Sequence, residues 1–158
     1  MKALVAAALV IASASIATAA PWQTESSFDG DDLIGETAYQ WENGGGAVVL
    51  GYECDAMFGF EAFYVQTGAR YEDTTSYAPD VPTTLTIDGV PYEFSGTFQN
   101  REGYLFTFYD GIEDGFYALF DRLLLAKGSV DVTFFDKRFS FSAEGVGRAL
   151  STASELCY

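Results

Sequence analysis

Apolar and polar residues alternate along much of the chain, which is the pattern of β-strands with one buried face. Leu85 and Ile87 point to one side of such a strand, while Thr84 and Thr86 point to the other. Asp88-Gly89 follows and favours a tight turn into a returning strand. The same period recurs in Tyr92/Phe94/Gly96/Phe98, Tyr104/Phe106/Phe108, Val130/Val132/Phe134 and, after a predicted turn at Asp136-Lys137-Arg138, Phe139/Phe141.

Earlier strands are predicted over residues 37–42, 47–54 and 57–67. The first two flank Asn43-Gly44-Gly45-Gly46, where glycines accept the positive backbone angles of a hairpin turn. Residues 68–82 are rich in proline, charged and polar side chains. An exposed loop is therefore predicted there.

The period changes to that of a helix at two places late in the chain. Asp114 can cap the first helix, and Lys127-Gly128 marks its end. The second helix follows the Phe139/Phe141 strand and reaches Cys157. The two apolar stripes are Phe116, Leu119, Phe120, Leu123 and Leu124, and then Val146, Ala149, Leu150, Ala153 and Cys157.

These elements predict an α+β fold, with an antiparallel β-sheet or sandwich-like domain and two late helices. Residues 37–158 are assigned to this single domain, a length that suits one hydrophobic core. The preceding segment, residues 20–36, contains several acids and few large apolar side chains. An acidic, flexible N-terminal segment is therefore predicted there.

Residues 1–19 have the pattern of a signal peptide. Lys2 provides the positive end, residues 3–12 an apolar run, and Ala17-Thr18-Ala19 a small-x-small cleavage pattern. The apolar run falls short of the roughly 20 residues of a transmembrane helix. Cleavage after Ala19 is expected, which predicts a periplasmic or secreted protein. An uncleaved anchor is the alternative.

The chain has two cysteines, Cys54 and Cys157. In an exported protein, such a pair forms a disulfide more often than two free thiols. This bond would tie the C-terminal helix to the sheet and close a loop of about 100 residues, worth at most roughly 4 to 5 kcal/mol. A zinc site is a poor alternative, because the chain has no histidine to complete it.

The formal net charge is −15, and it is unevenly distributed. From residue 20 to 100 there are 14 acids against Arg70 alone, whereas from residue 101 to 158 there are 9 acids against 6 bases. A field of this sign repels nucleic acid and anionic membrane surfaces, and it attracts cations or a basic protein. Simple solubility of an exported protein is the other explanation of this acidity.

The residues of common catalytic mechanisms are missing from the sequence. Without histidine, the usual triads, histidine acid–base catalysis and zinc hydrolysis lose their parts. There is no phosphate-binding glycine loop, dinucleotide fingerprint or Gly-x-Ser-x-Gly elbow. Lys127 and Lys137 lie in turn or helix-end contexts, so structural roles are expected instead of a Ser-Lys site. No catalytic residue and no cofactor is predicted.

Carboxylates are the one catalytic resource in excess, with 23 acids in the chain. Two of them at a suitable separation would serve a glycosidase, so a carboxylate-based hydrolase is an alternative. Calcium binding is another, with Asp110, Glu113 and Asp114 as candidate ligands and a second cluster at residues 29–32. The first cluster lacks an EF-hand pattern, because Ile112 stands where that loop needs an oxygen ligand.

The C-terminal segment resembles that of a known group of proteins. Its pattern is Phe-x-x-x-Gly-x-x-x-Ala-Leu, formed by Phe141, Gly145, Ala149 and Leu150 and followed by Cys157. This is similar to small exported bacterial proteins of the invasion-associated locus B type and the related VasI-like group. The resemblance covers this segment and the strand that ends in Cys54. It implies a sheet-rich, periplasmic or secreted, non-enzymatic protein with an interaction role.

Two further fragments, Tyr52-Glu53-Cys54 and Gly68-Ala69-Arg70-Tyr71, are similar to parts of acidic periplasmic inhibitors of C-type lysozyme. A strongly acidic exported protein would be steered electrostatically towards a cationic enzyme. The sequence as a whole predicts a non-enzymatic binding protein of the bacterial cell envelope with a protein partner. Inhibition of a cationic enzyme such as lysozyme, or carboxylate-based hydrolysis, are the alternatives.

Overall fold

The computed structural model describes residues 20–42, 48–67, 77–99, 105–110 and 114–157, with the backbone alone for 77–79, 99, 105–110 and 114. The strands are β1 (Gln23–Asp29), β2 (Asp32–Trp41), β3 (Val49–Asp55), β4 (Phe60–Gln66), β5 (Tyr77–Ile87), β6 (Val90–Gln99), β7 (Leu105–Asp110), β8 (Ser129–Phe134) and β9 (Lys137–Ser142). The helices are α1 (Asp114–Leu124) and α2 (Val146–Ser154). The predicted signal peptide lies outside the described residues.

Within the described residues, the nine strands form one antiparallel sheet in the order β1-β2-β3-β4-β7-β6-β5-β8-β9. Strands β1 to β4 are neighbours in both sequence and space. Strand β7 then pairs with β4, so β5 and β6 lie on its far side, and β8 and β9 extend the sheet beyond β5. The predicted antiparallel α+β fold with two late helices is confirmed.

Both helices pack on the same side of β1 to β4 and form the core there. Helix α2 contacts β2, β3 and β1, and α1 packs against α2. Tyr52 of β3 and Phe63 of β4 are fully buried against Phe116 and Phe120 of α1, with ring centroids 5.3 to 6.4 Å apart. Ring pairs at this separation stabilise the core beyond the area that they bury.

Trp22 connects the beginning of the sheet to its end. Its indole Nε1 donates a 2.8 Å hydrogen bond to the carbonyl of Ser142, and its backbone N–H donates a 3.0 Å bond to the carbonyl of Glu144. Trp22 precedes β1, and Ser142 ends β9. The sheet therefore curves so that its first and last strands approach each other, with Trp22 buried between them.

The predicted disulfide is also confirmed. Cys54 on β3 is bonded to Cys157, which follows α2 in the chain, and their Cα atoms are 6.1 Å apart. The bond spans 103 positions of the sequence. It holds the end of the C-terminal helix against the inner side of the sheet, as the two-cysteine pattern indicated.

The N-terminal segment differs from its prediction. Residues 20–36 were expected to be flexible, yet they contain β1 and the first part of β2, paired from Gln23 onwards. All β1 side chains are exposed, which agrees with their polar composition. A ladder forms here because its hydrogen bonds join backbone groups and need no apolar side chains.

Two boundaries later in the chain also differ. Strand β5 starts at Tyr77, inside the predicted loop 68–82, and pairs there with β6 alone, since β8 pairs only with Thr83 and the residues after it. Pro79 and Pro82 are tolerated in this part, because the missing N–H faces no second strand. The β8–β9 turn lies at Phe135-Asp136, not at 136–138. The predicted Asn43–Gly46 turn lies outside the described residues.

Candidate binding surface

The side of β1 to β4 that faces away from the helices is here named the outer face. Residues directly opposite each other in neighbouring strands share a face, and faces alternate along each strand. Tyr52 and Phe63 are opposite each other in the core, so the alternate residues form the outer face. They are Gln23, Glu25, Ser27, Gly35, Thr37, Tyr39, Trp41, Val49, Gly51, Glu53, Asp55, Phe60, Ala62, Tyr64 and Gln66. The β1–β2 register shifts after Ser27, and the outer face is named only up to that shift.

In the described part of the chain, the helices pack against the other side of these strands and leave the outer face open. Val49 and Ala62 lie on the outer face and are buried, yet they do not belong to the hydrophobic core cluster. Trp41 and Phe60 remain 44 % and 38 % exposed there.

The half of the sheet that carries the outer face has charge of one sign only. Residues 20–67 include nine acids and no lysine or arginine. Glu25, Glu53 and Asp55 lie on the outer face itself. Carboxylates therefore project among aromatic side chains on this surface, with no basic residue of the same four strands to neutralise them.

Tyr64 and Gly51 form the centre of the outer face. They are directly opposite each other in the β3–β4 ladder, and the Tyr64 ring lies so close over Gly51 that any Cβ at position 51 would meet it. Tyr39, the partner of Gly51 on the other side, donates a 3.2 Å hydrogen bond from its hydroxyl to Gln23 Oε1. Glycine thus allows an aromatic ring to lie flat on the sheet.

The carboxylates change the protonation of their neighbours on this face. Burial, with the nearby Glu53 and Glu25 charges, raises the pKa of the Tyr64 phenol well above its ordinary value. Glu53 keeps much of its surface in water, but partial burial and the adjacent Asp55 raise the pKa of its carboxyl. A protonated phenol, aromatic faces and several carboxylates are groups that bind ammonium and guanidinium ions.

A second pair of acids lies on the inner side of the sheet, around the disulfide. Glu36 and Glu61 are the two ladder partners of Cys54, one on each side of it. Burial raises the pKa of Glu61, and a hydrogen bond with Tyr52 opposes this effect. Strand β3 and its disulfide lie between the two acids, whose Cα atoms are about 10 Å apart by strand spacing. No cleft between facing carboxylates is formed by this pair.

The structure describes the predicted calcium ligands only in part. Asp29 and Asp32 face each other at the β1–β2 turn. Asp110 ends β7 and Asp114 begins α1, but their side chains, and all of Glu113, lie outside the described residues. Within the residues whose placement is described, no group of three or more His, Cys, Asp or Glu side chains could hold a metal ion.

The two lysines considered as catalytic have structural surroundings. Lys127 donates its backbone N–H to Asp88 Oδ2 at 3.0 Å, after the end of α1. Lys137 begins β9 and forms an exposed ion pair with Asp136, with 3.7 Å between Nζ and Oδ2.

The outer face was not predicted as a site from the sequence. Its residues come from four strands and are separated in the chain, so no local motif contains them. One signal was present, because residues 20–67 lack any basic residue while they contain Trp, Tyr and Phe side chains beside acids. That composition identifies the segment but does not show which residues share a surface.

Comparison with known proteins found no matching family model, no matching curated protein and no matching solved structure. No helix among the described residues is long and apolar enough to cross a membrane.

Proposed function

We propose that this chain is an exported, non-enzymatic binding protein of the bacterial cell envelope whose partner is a basic protein. The disulfide between Cys54 and Cys157 fits a protein outside the cytoplasm, where such bonds form and persist. The signal-peptide pattern of residues 1–19 supports export, and a periplasmic or secreted location follows from it.

The observation that carries this proposal is the charge and composition of the outer face. Nine acids and no base occur in residues 20–67, which contain the four strands that form it, and neither helix covers the face. Exposed aromatic side chains lie among the carboxylates. Such a surface attracts a cationic protein over long range and offers ring contacts once the two proteins meet.

The C-terminal resemblance supports the same function. The Phe-x-x-x-Gly-x-x-x-Ala-Leu pattern corresponds to the end of β9, a left-handed Gly145 with φ of +80°, and the buried Ala149 and Leu150 of α2. Similarity to exported proteins of the invasion-associated locus B type implies an interaction role. The pattern itself has a structural purpose here, because it turns the chain from the sheet into the covering helix.

Inhibition of a cationic enzyme is the particular form of this function that the surface chemistry favours. Lysozyme of the C type is the natural first candidate, because it is basic and acts at the envelope. Tyr52, Glu53 and Cys54, which resemble part of an inhibitor signature, lie in β3. Of these, Glu53 projects from the outer face, whereas Tyr52 and Cys54 are buried.

The test is capture of envelope proteins by the purified exported protein at about 50 mM and about 500 mM salt, a range over which surface charges become screened. An outer-face variant would carry Glu25→Gln, Glu53→Gln and Asp55→Asn. A control with the same change in charge would carry Asp121→Asn, Asp136→Asn and Glu144→Gln, all exposed and away from the outer face.

Wild type and control should retain the same basic proteins at low salt and release them at high salt, while the outer-face variant should fail to retain them. Lysozyme activity measured with and without each protein tests the inhibitor form directly. Equal capture by both variants would contradict the proposal. So would turnover of an envelope polymer that a single carboxylate substitution abolishes.

A further inference from the structure

The ends of two hairpins expose an unusual number of large apolar side chains. Phe28 and Leu33 lie beside the β1–β2 turn, and Met57, Phe58 and Phe60 lie in or after the β3–β4 turn. Phe58 and Phe28 are 78 % and 62 % exposed. We name these residues the hairpin tip. Single exposed apolar residues are normal on protein surfaces, whereas groups of them are typical of contact sites.

The two hairpins lie side by side and point the same way. Ala56 donates a 3.0 Å backbone hydrogen bond to the carbonyl of Ile34, which joins the second turn to β2. Phe28 and Leu33 are directly opposite each other in the β1–β2 ladder. Phe60, the ladder partner of Asp55, lies at the same end of the four strands. The apolar side chains thus gather at the end of the strands that carry the acidic outer face.

The conformation that presents Phe58 is fixed by a side chain. Asp55 Oδ1 accepts a 3.0 Å hydrogen bond from the Phe58 backbone N–H. Gly59 follows with φ of +62°, a backbone angle that glycine adopts without strain. The most exposed phenylalanine of the described residues is thus held by a defined turn, which lowers the ordering cost of binding through it.

The charges near the hairpin tip indicate which kind of partner can bind there. Asp29, Asp31 and Asp32 lie at the β1–β2 turn, Asp55 lies at the start of the β3–β4 turn, and residues 20–67 contain no base. An anionic lipid surface would be repelled by these carboxylates. A second copy placed on the same surface would bring like charges together. A basic protein with an apolar recess satisfies both the charge and the exposed rings.

We propose that the hairpin tip is the anchor of the complex, and that Phe28 and Phe58 enter an apolar recess bordered by lysine or arginine on a cationic protein partner. This inference rests on the proposed function and assigns it a contact site. The carboxylates of the outer face steer and orient the partner. The two phenylalanines become buried in the partner's recess and supply most of the affinity.

Site-specific photo-crosslinking tests the position of the contact. The photoreactive residue p-benzoylphenylalanine replaces Phe58 in one exported protein and Leu125 in another, since Leu125 is 70 % exposed after α1 and far from the tip in sequence. Each is irradiated in envelope extract, and crosslinked species are identified by mass spectrometry. Position 58 should yield a basic protein that position 125 does not, with less product at high salt.

Affinity measurement then tests the energetic role, with the crosslinked protein in purified form as the probe. Phe28→Ser with Phe58→Ser should weaken binding at least about 30-fold, mainly through faster dissociation, and should leave the salt dependence unchanged. The matched control, Val90→Ser with Leu125→Ser, removes two other exposed apolar side chains and should bind as wild type does.

The outcomes separate this inference from the function beneath it. If wild type captures a basic protein in a salt-sensitive way and the Phe28→Ser/Phe58→Ser variant binds it with full affinity, the hairpin tip is not the anchor. The proposed function would still stand. Crosslinking of position 58 to lipid, to a second copy or to nothing above the control would also overturn the hairpin tip as the anchor. Failure of wild type to retain any basic protein would remove the proposed function itself.

Discussion

Glu53 illustrates at the scale of one residue how a binding surface can reduce stability. Its carboxyl lies on the outer face beside Asp55, and partial burial together with this like charge raises its pKa. The folded protein therefore favours the protonated form of Glu53 more than the unfolded chain does. Ionisation of Glu53, which attracts a cationic partner, therefore lowers the free energy of unfolding of the free protein.

Glu53→Gln should accordingly stabilise the protein at pH 7 while it weakens partner binding. A raised pKa contributes stability below the unfolded value of about 4.5 that is lost as pH rises, so wild type and variant should be equally stable near pH 3.5. The gain at pH 7 should be about 0.5 kcal/mol, because Glu53 is largely exposed. Urea unfolding at both pH values measures it, with Glu93→Gln as the control. A loss of stability at pH 7 would contradict this account.

Asp88 shows the opposite effect at a turn. Its carboxylate accepts backbone hydrogen bonds from Lys127, Gly128 and Ser129, at 3.0, 2.7 and 3.2 Å, and so joins the β5–β6 turn to the segment before β8. These bonds, led by that of Lys127, lower the pKa of Asp88. Asp88 and Gly89 both have positive φ, as a tight hairpin turn requires.

Asp88→Asn should destabilise the protein by about 0.5 to 1 kcal/mol at pH 7, since asparagine tolerates the same φ but lacks the charge. A lowered pKa gives stability that is present above the unfolded value of about 3.8 and lost as pH falls through the folded value. The difference between variant and wild type should therefore vanish in acid. Unfolding curves from pH 2 to pH 7 test this; a constant difference would exclude the charge as its cause.

At the scale of elements, α1 and α2 contact each other at Gly147, a residue of α2 that has no side chain. A Cβ on Gly147 of α2 would lie 2.5 Å from the carbonyl oxygen of Leu124, at the end of α1. Because the Leu124 carbonyl is a backbone group, it can make room for a Cβ only if α1 itself shifts. Gly147 therefore sets how closely the second helix approaches the first, and with it the position of Cys157 over the sheet.

Gly147→Ala should destabilise the protein by about 1 to 3 kcal/mol through this overlap. Alanine is the better helix former by about 1 kcal/mol, so the sign of the change decides between packing and propensity. Ser151→Ala, at an exposed position of α2, is the control and should be neutral or slightly stabilising. Urea unfolding measures both variants, and stabilisation by Gly147→Ala would show that the helices separate easily.

At the scale of the whole molecule, the disulfide joins the acidic half of the chain to the C-terminal helix. Cys54 belongs to β3, within the four strands that carry the outer face, and Cys157 follows α2. The outer face and the helix-covered face are therefore the two sides of one sheet, and the disulfide joins that sheet to α2. Loss of the disulfide should loosen the packing of α2 on the core and leave the charges of the outer face unchanged.

Cys54→Ser and Cys157→Ser should cost similar stability, up to about 4 to 5 kcal/mol by the loop-entropy relation, because each removes the same 103-residue connection. Reduction should lower the stability of wild type and add little to either variant. Unfolding in urea with and without reductant provides the measurement. Position 54 is fully buried. If Cys54→Ser loses more stability than Cys157→Ser, the difference is the cost of burying the serine hydroxyl at position 54.

Much of the fold could be predicted because the core pattern is local. Alternation through Leu85 and Ile87 predicted β5 in part, and the three-and-four spacing around Leu119 and Leu150 predicted both helices, since each buries one face. The beginning of β5 and all of β1 were missed. Their side chains carry no such period, and it is pairing with an adjacent strand that makes them regular.

The sequence by itself determined the composition of the molecule: a two-cysteine pair, an acidic segment without bases at residues 20–67, a sheet and two helices that cover it. These follow from residue type and from periods of two and 3.6 residues, which act over a few neighbours. Only the tertiary structure decided that Glu25, Tyr39, Glu53 and Tyr64 share one open face, and that Phe28 and Phe58 lie at its end. The physical reason is register, because ladder partners and hairpin neighbours are fixed by contacts between distant segments.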